Sequence, residues 1–305
     1  MSTKKEFMKA ALDTSNAFIS TDSEAVAVNP NIWDFRLRDY EEKQLVFTPQ
    51  TEQFDFRGSG VDYKVTIDEA PSAAAALVET DDVSISSFTT RPVTFTPTEY
   101  GAAYQITRKE AVRAFFNVAE RMVVKLGYSM AQKKDSLGVS TAVAGATTAL
   151  LVNSKSVTSD LASTDTLDYA SITKGARSIE ALLYTPVDLF VNHYGKQQLL
   201  DLTTVHKANE FGTRDAIERG LVGELFGIRI FVSHSIPVAS SASTVVMMGM
   251  SRTGEKAVGY AIKRDPIIER EYHALGRFWD IVGHEEYDFQ VLHPGAICTI
   301  EHYSA

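Results

Sequence analysis

Residues 107–137 read TRKEAVRAFFNVAERMVVKLGYSMAQKKDSL, and this stretch decides the fold class. Thr107 is followed three positions later by Glu110, the capping-box arrangement in which a hydroxyl and a carboxylate each accept a hydrogen bond from the other residue's backbone N–H. Beyond it Val112, Phe115, Phe116, Ala119, Met122, Val123, Leu126 and Met130 recur three or four positions apart, so one face of a helix is apolar. The spacing predicts a helix over 107–137, stopped by Gly138 and about 45 Å long. Most of the remaining chain reads as strands, and one long helix among them predicts an α+β fold.

Upstream, Tyr63, Val65 and Ile67 alternate with Lys64, Thr66 and Asp68, the two-residue period of a half-exposed strand. Gly58, Ser59 and Gly60 form a turn before it, and Pro71 with the alanines at 73–76 forms a tip. Val83, Ile85 and Phe88 suggest a return strand. A lone hairpin with few large side chains is marginal in water. It is therefore expected to lie on another surface, most simply a neighbouring copy. Residues 45–56 read as extended, interrupted by Pro49. Residues 1–28 form a polar arm in which Phe7, Met8, Ala11, Leu12, Ser15 and Phe18 fall near helical spacing. The candidate inter-subunit contacts are Phe7 and Phe18 in the arm, and Tyr63, Lys64, Val65, Ile67, Pro71, Leu77, Val83, Ile85 and Phe88 in the hairpin.

Downstream, residues 139–163 are small and polar and read as a loop or weak hairpin. Asp168 or Ser171 caps a helix through Ile172, Ile179, Leu182 and Leu183. Strands are expected at 187–191, 228–232 and 245–248, a helix at 194–202, and a charged loop at 206–219. The last third alternates strands (257–262, 267–272, 281–291, 297–301) with turns, one of them beginning at Asp265-Pro266.

With 44% apolar and 23% charged residues over 305 positions, the chain has ordinary globular composition, enough for one large domain or two interleaved ones. A net charge of −9 argues against tracking a nucleic-acid backbone, which needs surplus Lys and Arg. The single cysteine, Cys298, permits neither an intrachain disulfide nor a thiolate metal cage. No apolar run is long enough to span a membrane and none resembles a secretory signal.

No motif commits to catalysis. Residues 249–256 approach a phosphate-cradling loop, but Glu255 stands where the lysine is needed, so a surface turn is expected. None of the seven histidines has the spacing of a zinc site. His284, Glu286 and Asp288 share one strand face, expected to be solvated, opposite Glu285, Tyr287, Phe289 and Val291 on a partly buried one. No nucleophile elbow exists, and Cys298 reads as a buried, inert thiol. No catalytic residue, cofactor or metal is expected.

The order of segments resembles the major capsid proteins of tailed phages, the Hong Kong 97 fold. The resemblance rests on an arm, a long hairpin, a strand pair and a long helix, then on VDLFVN at 187–192, GLVGELFGIRI at 220–230, Ser233 with Ile236-Pro237, and VLHPGAI at 291–297. It implies an N-terminal arm at 1–45, an extended hairpin loop and its base at 46–92, and a peripheral domain at 93–164 with a spine helix at 107–137. It further implies an axial α/β domain at 165–280 and return strands of the peripheral domain at 281–305. The implied function is structural: self-assembly into pentamers and hexamers of an icosahedral shell enclosing double-stranded DNA without sequence-specific binding, with the hairpin lying over an adjacent subunit. Implied partners are further copies of the chain, a separate scaffolding protein, a portal and a decoration protein, with assembly in the host cytoplasm and residence in the virion. Some relatives weld subunits through a Lys–Asn isopeptide bond, but no motif pairs Lys64 with Asn153 or Asn192. The alternatives are an encapsulin-type compartment shell and a nucleotide-dependent enzyme using residues 249–256.

Overall fold

The structure, a computed structural model, describes residues 45–58, 60–68, 90–113, 118–201, 221–225, 227–239 and 242–304. The expected contacts Phe7, Phe18, Pro71, Leu77, Val83, Ile85 and Phe88, and the loop at 206–219, lie outside these residues.

Two sheets organise the chain. The first joins β1 (Glu52–Asp55), β4 (Thr98–Thr107), β11 (Val258–His273) and β12 (Phe278–Val291) in the order β1-β11-β12-β4. Its centre is the hairpin β11–β12, paired from Val258↔Val291 to His273↔Phe278. Helices α1 (Arg108–Arg113) and α2 (Val118–Ala144) follow β4. Val123, Leu126 and Met130 of α2 pack on Ile268 and Ile281 of this sheet, so the predicted apolar stripe serves the purpose its spacing implied.

The second sheet has seven strands: β5 (Thr148–Leu151), β6 (Thr185–Val191), β7 (Leu221–Leu225), β8 (Ile228–Val232), β9 (Val238–Ala239), β10 (Ala242–Met250) and β13 (Ile297–Tyr303). Their order is β5-β13-β10-β6-β8-β7, with β9 on β10. Helix α3 (Tyr169–Ala181) buries Ile172 and Ile179 against Leu189, Val245, Met247 and Ile300. Its N-cap is Asp168, which accepts from the Ser171 N–H, one of the two caps expected. Helix α4 (His193–Asp201) follows β6. A shared cluster containing Phe47, Val139, Phe190, Val246, Tyr260, Phe289 and Ile297 joins the sheets into one core.

The third element is a two-stranded sheet of β2 (Tyr63–Asp68) and β3 (Thr90–Phe95). The partner of the predicted strand at 63–68 is thus residues 90–95. Phe95 is fully buried, and a Cβ on Gly259 would lie 2.8 Å from its ring. Only glycine at 259 lets the hairpin base seat so closely.

Several expectations are corrected. The long helix passes Gly138 and ends at Ala144, so residues 139–144, read as loop, are helical. A Cβ on Gly138 would meet the Phe47 ring at 2.7 Å; this glycine admits a neighbour and does not stop a helix. Thr107 ends β4, and the Arg108 N–H is satisfied by the Arg277 carbonyl at 2.8 Å; the Glu110 side chain lies outside the described residues. Leu182 and Leu183, expected within the helix, lie beyond the end of α3 and are exposed. Asp265-Pro266 begins no turn: β11 runs through it, with register shifts between Ile262 and Ile267, since proline donates no ladder hydrogen bond. At the start of the segment expected to hold the hairpin and its base, Phe47 is in the core and β1 pairs in parallel with β11.

The sheets also divide the chain differently from the expected domains. A boundary at 280 falls inside β12, severing it from β11, while β13, expected to return to the first sheet, pairs with β10 and β5 in the second.

Candidate functional site

Among the described residues no group of three or more His, Cys, Asp or Glu side chains is arranged to hold a metal. The turn at 251–256 forms no cradle. Its Ser251 N–H donates to Glu255 O, and Lys256 Nζ donates to the carbonyls of Pro49 and Thr51 at 3.1 Å each. The lysine is tied to the chain's own entry segment, and a strand follows, which removes the nucleotide-binding alternative. Cys298 is fully buried, and burial pushes its thiol pKa up against a weaker opposing hydrogen bond with Ser178, the condition of an unreactive thiol. Glu286 pairs with Lys263, and His284 lies 3.8 Å from Glu269. The face carrying His284, Glu286 and Asp288, expected to be solvated, is half-buried, and Glu285, Tyr287 and Phe289 on the opposite face are buried.

The chemistry of this molecule therefore lies in how segments are anchored and which surfaces are left over. The described chain enters at Leu45, and its entry is fixed by Asp135 on α2. One carboxylate oxygen accepts from the Val46 and Phe47 N–H groups at 2.7 and 3.1 Å, the other from the Thr48 N–H and hydroxyl at 3.1 and 2.9 Å. Four donors compensate a buried charge. Lys134, the preceding residue, meets Glu285 of β12 at 2.6 Å, with 4% and 1% of the two side chains exposed. Its ammonium also lies 5.1 Å from the Tyr287 ring centre and 5.8 Å from that of Tyr260, within cation–π range. Arg229 holds Asp188 through Nε at 2.8 Å and reaches Gln50 Oε1 at 3.1 Å. Burial still leaves the Asp188 carboxyl above the usual carboxylate range.

Sequence reasoning missed these anchors, yet it contains a signal for them. Leu126, Met130 and Lys134 are four apart on the apolar stripe, as are Ala131, Asp135 and Val139. Glu285 shares a strand face with Tyr287 and Phe289. Charges placed on core-facing positions ask for buried partners.

The hairpin residues separate by face. Tyr63, Val65 and Ile67 turn toward the chain's own body, in a cluster with Phe54, Val93, Phe95, Ala261 and Leu292, and Tyr63 has ring contacts with Phe54, Phe56 and Phe95 at 6.1, 5.0 and 6.3 Å. Lys64, Thr66 and Asp68 point outward. The apolar face at the base is thus already covered within one copy, and of the expected contacts there only Lys64 is open. Elsewhere Val61, Tyr128, Val157, Leu183 and Leu275 are apolar and well exposed, Leu275 completely so at the β11–β12 tip.

With this geometry the chain can be compared with known proteins. A family model described as phage capsid protein matches residues 90–299. The chain belongs to that family, and the match begins at the first residue of β3. The fold is similar to the capsid of Ralstonia phage GP4 (TM-score 0.65, 11% identity, covering 87% of this chain and 90% of that one). It is likewise similar to a structure from Mycobacterium phage Che8 (0.64, 16%, 84% and 91%). It also resembles a virus-like particle from Pyrococcus furiosus (0.57, 12%, 87% and 95%). No curated protein sequence matches. The family is one of structural virion proteins, not enzymes, which bears out the capsid resemblance read from the order of segments.

Proposed function

We propose that this chain is the major shell subunit of a tailed phage, closing as pentamers and hexamers into an icosahedral capsid around double-stranded DNA. The observation that carries the reading is membership of the phage capsid protein family over residues 90–299. Within the body, residues 46–48 are held by Asp135 and the base of the β2–β3 hairpin is seated through buried Phe95. In this reading α2 with the first sheet forms the peripheral part, and the seven-stranded sheet with α3 and α4 forms the axial part. The division follows sheet membership. An acidic chain repels packed DNA and does not adhere to it, which suits a container. In this reading the partners are further copies of the chain, a separate scaffolding protein and a portal, with room for a decoration protein, and assembly belongs in the host cytoplasm.

The test is excision of residues 69–89, joining Asp68 to Thr90 by a short turn. We expect a folded body with unchanged far-UV dichroism and no closed particles by negative-stain microscopy, where the intact chain forms them. An intact chain that stays monomeric at high concentration, with or without scaffold, overturns the reading. The likeness to a virus-like particle favours one second reading, a compartment shell without a genome. Nuclease-protected DNA inside purified particles decides against that alternative, and a captured cargo protein decides for it.

A further inference from the structure

His302 continues the face of β13 that carries Cys298 and Ile300, the face covered by α3 and α4, and it is fully buried. Its Nδ1 lies 3.0 Å from the Tyr303 carbonyl. A carbonyl only accepts, so Nδ1 carries the proton and Nε2 presents a lone pair. Among the described residues no donor reaches Nε2. That nitrogen is pressed against the first turn of α4, where a Cβ on Gly195 would stand 3.4 Å from it. The same turn is tied to the sheet around the imidazole. Asn192, immediately before α4, accepts from the Gly195 N–H at 2.9 Å and donates to Ser243, the register partner of His302 on β10. Gln198 of α4 donates to the same Tyr303 carbonyl at 2.8 Å. Helix and imidazole thus share one anchor.

A proton on Nε2 would set an imidazolium in the core against the positive end of a helix. The charged groups of the elements packed there look elsewhere. On α4, His193, Tyr194, Lys196 and Asp201 are exposed, and on α3 so are Lys174, Arg177 and Glu180. Asp165 accepts from Asn153 and the Ala162 N–H and has Lys155 at 3.7 Å, while Asp168 caps α3. Glu301 and Tyr303 alternate to the other side of β13, as Asp188 does on β6 with Arg229. Strand β10 carries no charge, and burial keeps the Cys298 thiol neutral. Burial accordingly holds His302 below its ordinary value, against a weaker opposing effect of the Tyr303 carbonyl. We propose that His302 is an acid-sensitive latch: neutral, it lets α4 lie on the second sheet, and the proton it takes once the helix lifts keeps the helix off. A lifted α4 returns the imidazole to water and to an ordinary value of about 6.5. The folded value is the lower one, so the seat of α4 is at full strength above about 6.5 and weakens as pH falls below it. Lifting uncovers Leu199 and the apolar cluster it joins. The latch lies within one chain and holds whether or not the chain forms a shell.

The test is amide hydrogen exchange on the full-length chain at pH of about 7.5, 6.5 and 5.5, spanning the ordinary histidine value, with rates corrected for intrinsic exchange. The expected result is an open population at residues 193–201 that rises by up to about tenfold for each pH unit below 6.5, the slope of one proton. Residues 169–181 of α3 are expected to hold steady. His302→Asn keeps a donor for the Tyr303 carbonyl and cannot take the charge, so it flattens the response. His302→Phe, which fills the ring's volume without a titrating group, is expected to do the same where the first variant does not fold. His193→Gln, at the exposed start of α4, is expected to leave the slope in place. A flat response in the unaltered chain, a slope that survives in either folded His302 variant, or one that vanishes in His193→Gln overturns the proposal. Imidazole nitrogen resonances of the unaltered chain supply a reading that needs no variant. Nε2 of His302 is expected to stay unprotonated at pH of about 6, and titration at the ordinary value overturns the latch.

Discussion

Two hairpins of this chain share a motif and differ in everything that stabilises it. The β11–β12 hairpin lies in the middle of a sheet, flanked by β1 and β4 and covered by α2. One face of β12 is buried at every second position from Ile281 to Phe289. The β2–β3 hairpin forms a sheet of its own, and only Ile67 of β2, with Val93 and Phe95 of β3, is buried. The first draws its stability from the body and transmits it. The second is seated at its base, and its outward face is polar. The difference shows how one motif serves as core or as attachment, according to how many neighbours its two faces find.

The sharpest way to break this contrast is at the buried ion pair under β12. Glu285→Ala removes the carboxylate from beside the Lys134 ammonium, and the expected cost is about 3–5 kcal/mol, read as a fall in the denaturation midpoint with unchanged slope. A matched pair of substitutions follows. Ile281→Ala, in the cluster with Val123, Leu126 and Met130, is expected to cost about 3 kcal/mol by the same measurement. Asp135→Ala withdraws the acceptor from four donors at residues 46–48. We expect a loss of about 2 kcal/mol and faster amide exchange over residues 46–51. Ile67→Ala, the partner of the Ile281 change, is expected to cost about 1 kcal/mol or less, because the weak hairpin opens without unfolding the body. Faster exchange confined to 63–68 and 90–95 is its signature. Equal costs for the two isoleucine changes would erase the distinction between the hairpins.

Much of this was legible in the residues. The alternation at 63–68 gave the correct inward and outward faces, the stripe in 122–130 gave the helix face, and Asp168 gave a cap. What the inward face packs against was not legible. Tyr63, Val65 and Ile67 looked like a surface awaiting another subunit, and the chain's own Phe54, Phe95 and Leu292 cover them. The covering residues are distant in sequence from the strand they cover, and no local pattern names them.

The sequence by itself determined the periodicities, and with them which segments are helix or strand and which side of each is apolar, because those depend on spacings of two to four residues. It also determined the absence of a recognised catalytic motif, since such motifs are local too. Only the tertiary structure decided that β11 belongs with β12 and β13 with β10, that Gly138 lies inside a helix beneath Phe47, and that Lys134 and Asp135 face the interior. Each of these depends on which distant segment arrives as neighbour, and that choice is made by burying the whole core at once.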